Sequence, residues 1–155
     1  MEKSMKRFRQ CMTGNVNKGF QGHIRYTMQL PEQVKRVRLV FQFDKREPEQ
    51  DLEQMRQASR EALMLNAQGQ SVTEEILRFC EGLPKGEINV SMTYNGAVVG
   101  CMHRNLLTKE AVVGPDQASE GFQATRFTGG ILEVTLHCLH IVNDGTSYEL
   151  VIEEA

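Results

Sequence analysis

Two cysteine–histidine pairs with identical spacing are the residues of this chain best placed for chemistry. They are the C-x-H motifs formed by Cys101 and His103 and by Cys138 and His140. Residues i and i+2 of a strand share a face, so two adjacent strands in register would offer zinc two sulfurs and two imidazoles. The alternative places Cys138 in the core, with His140 bonding a backbone group at its edge. Because tight zinc sites usually take ligands from turns, we favour the alternative and expect no cofactor and no metal.

Other catalytic patterns are missing from the sequence. It contains no G-x-S-x-G motif, and no cysteine has a visible base and orienting residue beside it. The glycines at Gly14 and Gly129-Gly130 do not introduce a helix, as a phosphate-binding loop would. We therefore expect that the protein is not an enzyme.

The C-terminal segment that contains the second motif predicts two long strands. Leu132, Val134, Leu136 and Cys138 alternate with polar residues, which is the pattern of a half-buried strand. The turn pair Asp144-Gly145 then leads into a second alternating run that ends near residue 154.

The remainder of the chain repeats this pattern on both sides of a helical segment. Alternation predicts strands over residues 22–30, 34–43, 86–94, 97–104 and 107–113, and a weaker edge strand over 6–16 that turns at 13–15. Helix-forming residues to about Leu65 and a capping box at Ser71–Glu74 predict helices. The sequence thus predicts a mostly β protein, an antiparallel, jelly-roll-like β-sandwich. It forms one domain over residues 1–155, with a helical insertion at about 48–81.

Charge is distributed unevenly along the chain. Residues 1–46 contain 11 Lys and Arg against 3 Asp and Glu, whereas residues 47–155 contain 7 against 17. One interpretation is that N- and C-terminal strands are neighbours, with Arg36 and Arg38 facing Glu149 and Glu153. Another is a basic face for an anionic partner. Nucleic acid is not expected, because few aromatic residues accompany the basic ones and no nucleic-acid-binding motif is present.

Cysteine usage and hydropathy bear on location. Four cysteines lie far apart without a C-x-x-C pair, so we expect free thiols. The longest apolar run is too short for a membrane-spanning helix, and the first residues contain no apolar signal segment. These features favour a cytoplasmic protein that does not enter a membrane.

The C-terminal third resembles a known accessory domain. The segments Val113–Phe122, Thr128–His137 and Ser147–Ile152 are similar to the β-sandwich domain found N-terminal to some bacterial PHP-type metallohydrolases. The chain lacks that domain's tryptophan and the His-x-His and carboxylate clusters that bind the hydrolase metals. The resemblance therefore implies an accessory sandwich without a catalytic domain.

A small sandwich without catalytic motifs is typical of a binding or interaction module. We expect self-association, as a homo-oligomer, or contact with a protein partner through an edge strand or the helical insertion. The alternative is a module for a small molecule, either carbohydrate-like or anionic, held by the loops near residues 66–71, 82–86 and 114–130. The tyrosines Tyr26 and Tyr94, which could stack on a sugar, fall on the apolar faces of their strands.

Overall fold

The computed structural model describes residues 7–49, 52–66 and 85–155. Alternating apolar residues form eight strands, and the segment rich in Glu, Gln, Arg and Leu forms one helix. In chain order these are β1 (Arg9–Val16), β2 (Gly22–Leu30), β3 (Val37–Phe43), α1 (Leu52–Asn66), β4 (Glu87–Tyr94), β5 (Ala97–Met102), β6 (Thr108–Val113), β7 (Gly130–His140) and β8 (Thr146–Glu154).

The strands form two antiparallel sheets of four. One sheet has the order β1-β8-β3-β6 and the other has the order β2-β7-β4-β5. The sheets pack face to face around a common apolar interior, as the alternation predicted. The predicted antiparallel β-sandwich is therefore confirmed.

The core lies between the sheets and receives every second residue of the central strands. Its fully buried members include Leu39 and Phe41 of β3, Ile152 of β8, and Leu132 and Leu136 of β7. Their register partners continue the same apolar layer, since Leu39 pairs with Ile152 across β3 and β8. Side chains at the intervening positions lie on the outer faces of the sandwich.

The predicted charge pairing is found at one of its two positions. Arg38 and Glu153 are register partners in β3 and β8, and Arg38 Nη1 lies 2.7 Å from Glu153 Oε1. Arg38 also pairs with Glu110, and Glu153 also pairs with Arg9, so the network crosses all four strands. Glu149 instead accepts a hydrogen bond from the Gln42 side chain.

One local expectation differs from the structure, and another lies outside the described residues. β1 continues without interruption through residues 13–15, where a turn was predicted, because its register partners in β8 extend through the same positions. The helix α1 lies within the predicted insertion at 48–81, whereas the predicted capping box at Ser71–Glu74 lies outside the described residues.

In the described part of the chain, no helix has the length and apolar character required to cross a bilayer.

Candidate functional site

The two C-x-H motifs lie on strands that are not neighbours. Cys101 is in β5, His103 follows that strand, and Cys138 and His140 are at the end of β7. β4 lies between β5 and β7, so the adjacency that a shared metal would need is not present.

The two cysteines also point to opposite faces of their sheet. Cys101 is the register partner of Ser91, whose neighbours Val90 and Met92 face the core, so Cys101 lies on the outer face. Cys138 pairs with the buried Ile88 and is only 2% exposed. The structure brings Cys101 and His103 close, with 3.9 Å between Sγ and Nδ1, but it does not bring them to Cys138 and His140. No group of three or more His, Cys, Asp or Glu suited to a metal occurs within residues 7–49, 52–66 and 85–155.

Each cysteine that the structure describes carries a free thiol. Cys11 is exposed on the outer strand β1, Cys101 is half-buried, and Cys138 is in the core. Burial raises the pKa of the Cys138 thiol. Cys80 lies outside the described residues.

A histidine cluster that the sequence analysis did not identify lies on the outer face of the second sheet. His137 of β7 is the register partner of His23 in β2, and their Nδ1 atoms are 3.0 Å apart. The Nε2 atom of His137 is 2.7 Å from Oγ of Ser91 in β4. In the neutral tautomer of His137 that carries its proton on Nδ1, Nδ1 donates a hydrogen bond to His23 and Nε2 accepts one from the Ser91 hydroxyl. The three side chains then form a continuous hydrogen-bonded chain.

The surroundings of His137 favour its neutral form. Burial lowers its pKa, and the positive charges of His23 and Arg25 lower it further. The sequence signal for this cluster is weak, because two histidines 114 residues apart reveal nothing about register. Only the pairing of β2 with β7 brings them together.

One lateral side of the sandwich is closed by residues 114–129, which connect β6 to β7 and form the closing segment. At β5, Cys101 N–H donates to the Gly121 carbonyl at 3.0 Å, and Gln123 N–H donates to the Val99 carbonyl at 2.8 Å. At β6, Ser119 N–H donates to the Val112 carbonyl at 2.9 Å. The outer edges of β5 and β6 are therefore occupied by backbone of the same chain.

The opposite side consists of the outer edges of β1 and β2. Alternate residues of an antiparallel strand direct their main-chain groups to opposite sides. Glu154 N–H donates to the Phe8 carbonyl, which continues the β1–β8 register, so the even-numbered residues of β1 bond to β8. The odd-numbered residues direct their main-chain groups away from the sheet; they are Arg9, Cys11, Thr13 and Asn15.

The outward groups of β2 follow from the β4–β7 and β2–β7 registers. Asn95 N–H donates to the Ile131 carbonyl in the β4–β7 register, so the odd-numbered residues of β7 up to His137 bond to β4. The even-numbered residues of β7 then bond to their even-numbered partners in β2. The main-chain groups that point away from the sheet belong to His23, Arg25, Thr27 and Gln29. No backbone hydrogen bond from a described residue outside the sheet reaches these positions.

A cavity of about 410 Å³ lies at the closed side. It is formed by the end of β5, the β5–β6 connection, the start of β6 and the closing segment. Its lining residues are Cys101, Met102, His103, Arg104, Leu106, Thr108, Lys109, Glu110, Ser119, Glu120 and Gly121. Of this set, the sequence motifs indicated Cys101 and His103 but not Lys109. Lys109 occupies a position of β6 whose side chain faces the core, where alternation predicts an apolar residue.

Fold and edges together define a β-sandwich in which backbone of the same chain closes one lateral side, while the outer edges of β1 and β2 bond to no other backbone of the described residues. A protein-family model described as "Family of unknown function (DUF6669)" matches residues 5–154, so the chain belongs to this family. No curated protein matches the chain. The resemblance to the accessory domain of PHP-type metallohydrolases stays a prediction, since the family description names no function.

Proposed function

We propose that the protein is a non-catalytic interaction module that self-associates through the open edge of β2. The observation on which this depends is the contrast between the two lateral sides. Backbone of the same chain bonds to β5 and β6, whereas β1 and β2 direct main-chain groups outward along 8 and 9 residues. Unpaired strand edges are templates for strand addition.

The sequence of β2 supports this use. Proteins that prevent edge pairing place proline, lysine or inward charges on the exposed strand. β2 reads GHIRYTMQL, without proline or lysine, and Arg25 is its sole permanently charged residue. Arg25 is therefore the one fixed charge in this strand that an added strand must accommodate.

Symmetry allows two copies of β2 to pair without like charges meeting. A two-fold axis at Tyr26 places Arg25 opposite Thr27 of the second copy and His23 opposite Gln29 of the second copy. All four residues direct their main-chain groups outward. The result is a continuous eight-stranded sheet across the dimer, stabilised by main-chain hydrogen bonds.

The alternative of an enzyme that uses the chain of Ser91, His137 and His23 has less support. An acyl-transfer site needs free donors for the oxyanion. The main-chain groups of β4 around Ser91 bond to β7 on one side and β5 on the other. Ser91, His137 and His23 do not line the cavity at the closed side.

Two finer assignments belong to the same proposal. The strand orders β1-β8-β3-β6 and β2-β7-β4-β5 support a jelly roll, in which two Greek keys wind eight strands into two sheets. The free thiols at Cys11, Cys101 and Cys138 support a reducing, cytoplasmic location.

The test compares two substitutions at one exposed position. Gln29→Pro removes an outward N–H while leaving the even-numbered bonds of β2 to β7 intact, and Gln29→Ala removes the same side chain but keeps the N–H. Light scattering across a concentration series should give a dimer mass for the wild type and Gln29→Ala, and a monomer mass for Gln29→Pro. Far-UV circular dichroism establishes that each variant is folded.

Two results would count against the proposal. One is a wild-type protein that stays monomeric at hundreds of micromolar. The other is a dimer that Gln29→Pro leaves intact and that Thr13→Pro, at an outward position of β1, abolishes. The second result would assign the interface to β1 in place of β2.

A further inference from the structure

Lys109 is a buried lysine in the wall of the cavity at the closed side. Its alternation within β6 directs it toward the core, and it is 3% exposed. The Nζ atom donates to the Leu106 carbonyl at 2.9 Å and lies 5.8 and 5.5 Å from the ring centroids of Phe41 and Phe43. Lys109 and Leu106 are both among the residues that line the cavity.

Within the described residues, the charge of Lys109 has no carboxylate partner. Among the residues that the structure describes, none places a carboxylate oxygen within 4.0 Å of Nζ. Burial lowers the pKa of Lys109 to about 8; the charge of Glu87 opposes this shift and that of Arg46 adds to it. The ammonium therefore keeps unused donors in a poorly solvated place.

The other charges of the cavity wall are already paired. Arg104 Nη2 lies 2.9 Å from an oxygen of Glu120, and Glu110 lies 2.7 Å from Arg38. Among the described residues, the ammonium of Lys109 therefore remains as the one unmatched positive charge of the cavity wall. A ligand with one negative charge would neutralise it.

We propose that this cavity binds a small organic monocarboxylate, whose carboxylate pairs with the ammonium group of Lys109. The apolar side chains of Met102 and Leu106 line the cavity and suit a short hydrocarbon body. Its volume of about 410 Å³ lies within the usual range for small-molecule sites. A dianion such as a phosphate monoester would bring one charge more than the site can match.

Hexanoate is a suitable probe, with hexan-1-ol as its uncharged analogue. We expect hexanoate to bind with millimolar or tighter affinity in calorimetry at neutral pH, and hexan-1-ol to bind at least about tenfold more weakly. In protein labelled with ¹³C-lysine, saturating hexanoate should raise the titration midpoint of the Lys109 Cε signal, because a nearby anion favours the ammonium form.

The variant Lys109→Met tests the residue itself and keeps a side chain of similar length. It should stay folded, since it removes an unpaired buried charge, and should lose at least about tenfold in hexanoate affinity. Lys85→Met is the matched control, because Lys85 is exposed and pairs with Glu47. No binding of hexanoate, equal binding of hexan-1-ol, an unchanged Lys109 titration, or a loss shared by Lys85→Met would each overturn the proposal.

Discussion

At the scale of single residues, side chains of one type differ according to the face of the strand on which they lie. Lys109 and Lys85 are both lysines, yet Lys109 is 3% exposed and has no carboxylate partner in the described part of the chain, whereas Lys85 is an exposed member of an ion pair. Cys11 and Cys138 differ in the same way. The chemistry available to each residue is therefore set by burial and neighbours more than by residue type.

His137 makes stability depend on pH. Its pKa in the folded protein lies below the ordinary value of 6.5, so the unfolded chain takes up a proton first as the pH falls. The stabilisation is complete above pH 6.5 and is lost as the pH falls below it toward the folded-state value. We expect the free energy of unfolding in urea to fall more between pH 7 and 5 for the wild type than for His137→Gln.

The control for this measurement is His103→Gln. His103 is exposed at the end of β5 and is not part of the histidine cluster. It should retain the pH dependence of the wild type. If His137→Gln shows the full wild-type dependence, the neutral form of His137 is not the cause.

At the scale of elements, the closing segment depends on a glycine in β5. Gly100 bridges Phe122, and a Cβ atom added at Gly100 would lie 2.6 Å from the Cα atom of Phe122. The main chains of β5 and the closing segment can approach this closely because no side chain separates them. The close contact between β5 and the closing segment therefore requires a glycine at position 100.

Gly100→Ala should therefore loosen the closed side. We expect a loss of about 1–3 kcal/mol in the free energy of unfolding, because the segment must move away from β5. Hydrogen exchange should become faster at the amides of Cys101 and Gln123, which bond across this contact.

Val98→Ala is the control within the same strand. Val98 is 73% exposed, so its truncation should change the free energy of unfolding by no more than about 0.5 kcal/mol. Equal effects of the two substitutions, or unchanged exchange at Cys101 and Gln123 in Gly100→Ala, would contradict the role given to Gly100.

At the scale of the whole molecule, one core joins the two sheets. Cys138 of β7 lies in the same buried cluster as Leu150 and Ile152 of β8, which belong to the other sheet. Because this thiol is buried between the sheets, we expect a reagent to reach it when the sheets separate. Cys138 is therefore a natural reporter of global unfolding.

Thiol labelling with iodoacetamide, followed by peptide mass spectrometry, should modify Cys11 rapidly and Cys138 at the rate of global opening. Leu136→Ala removes a fully buried side chain of β7 and should destabilise the fold by about 2–5 kcal/mol. Labelling of Cys138 should accelerate strongly in this variant, while Cys11 reacts as before. Labelling of Cys138 that does not respond to Leu136→Ala would show that it is exposed by a local motion instead.

Strand positions could be predicted because alternation is a local property. The faces of β2, β7 and β8 follow from which residues avoid water at every second position. The partnership of Arg38 with Glu153 could be anticipated from opposite charges on outward positions. The turn expected at residues 13–15 was wrong, because pairing with β8 outweighed the local preference of Gly14 and Asn15.

The sequence by itself determined a sandwich of alternating strands, since each strand must bury one face whatever its neighbours are. Tertiary structure alone decided which strands became neighbours, and with them every feature of the candidate sites. It separated Cys101 from Cys138 by placing β4 between their strands, and it joined His23 to His137 through the β2–β7 register. It also covered the edges of β5 and β6 with backbone of the same chain and placed β2 at the outer edge of its sheet. Alternation is set within a few residues, whereas strand order is set by the packing of the whole chain.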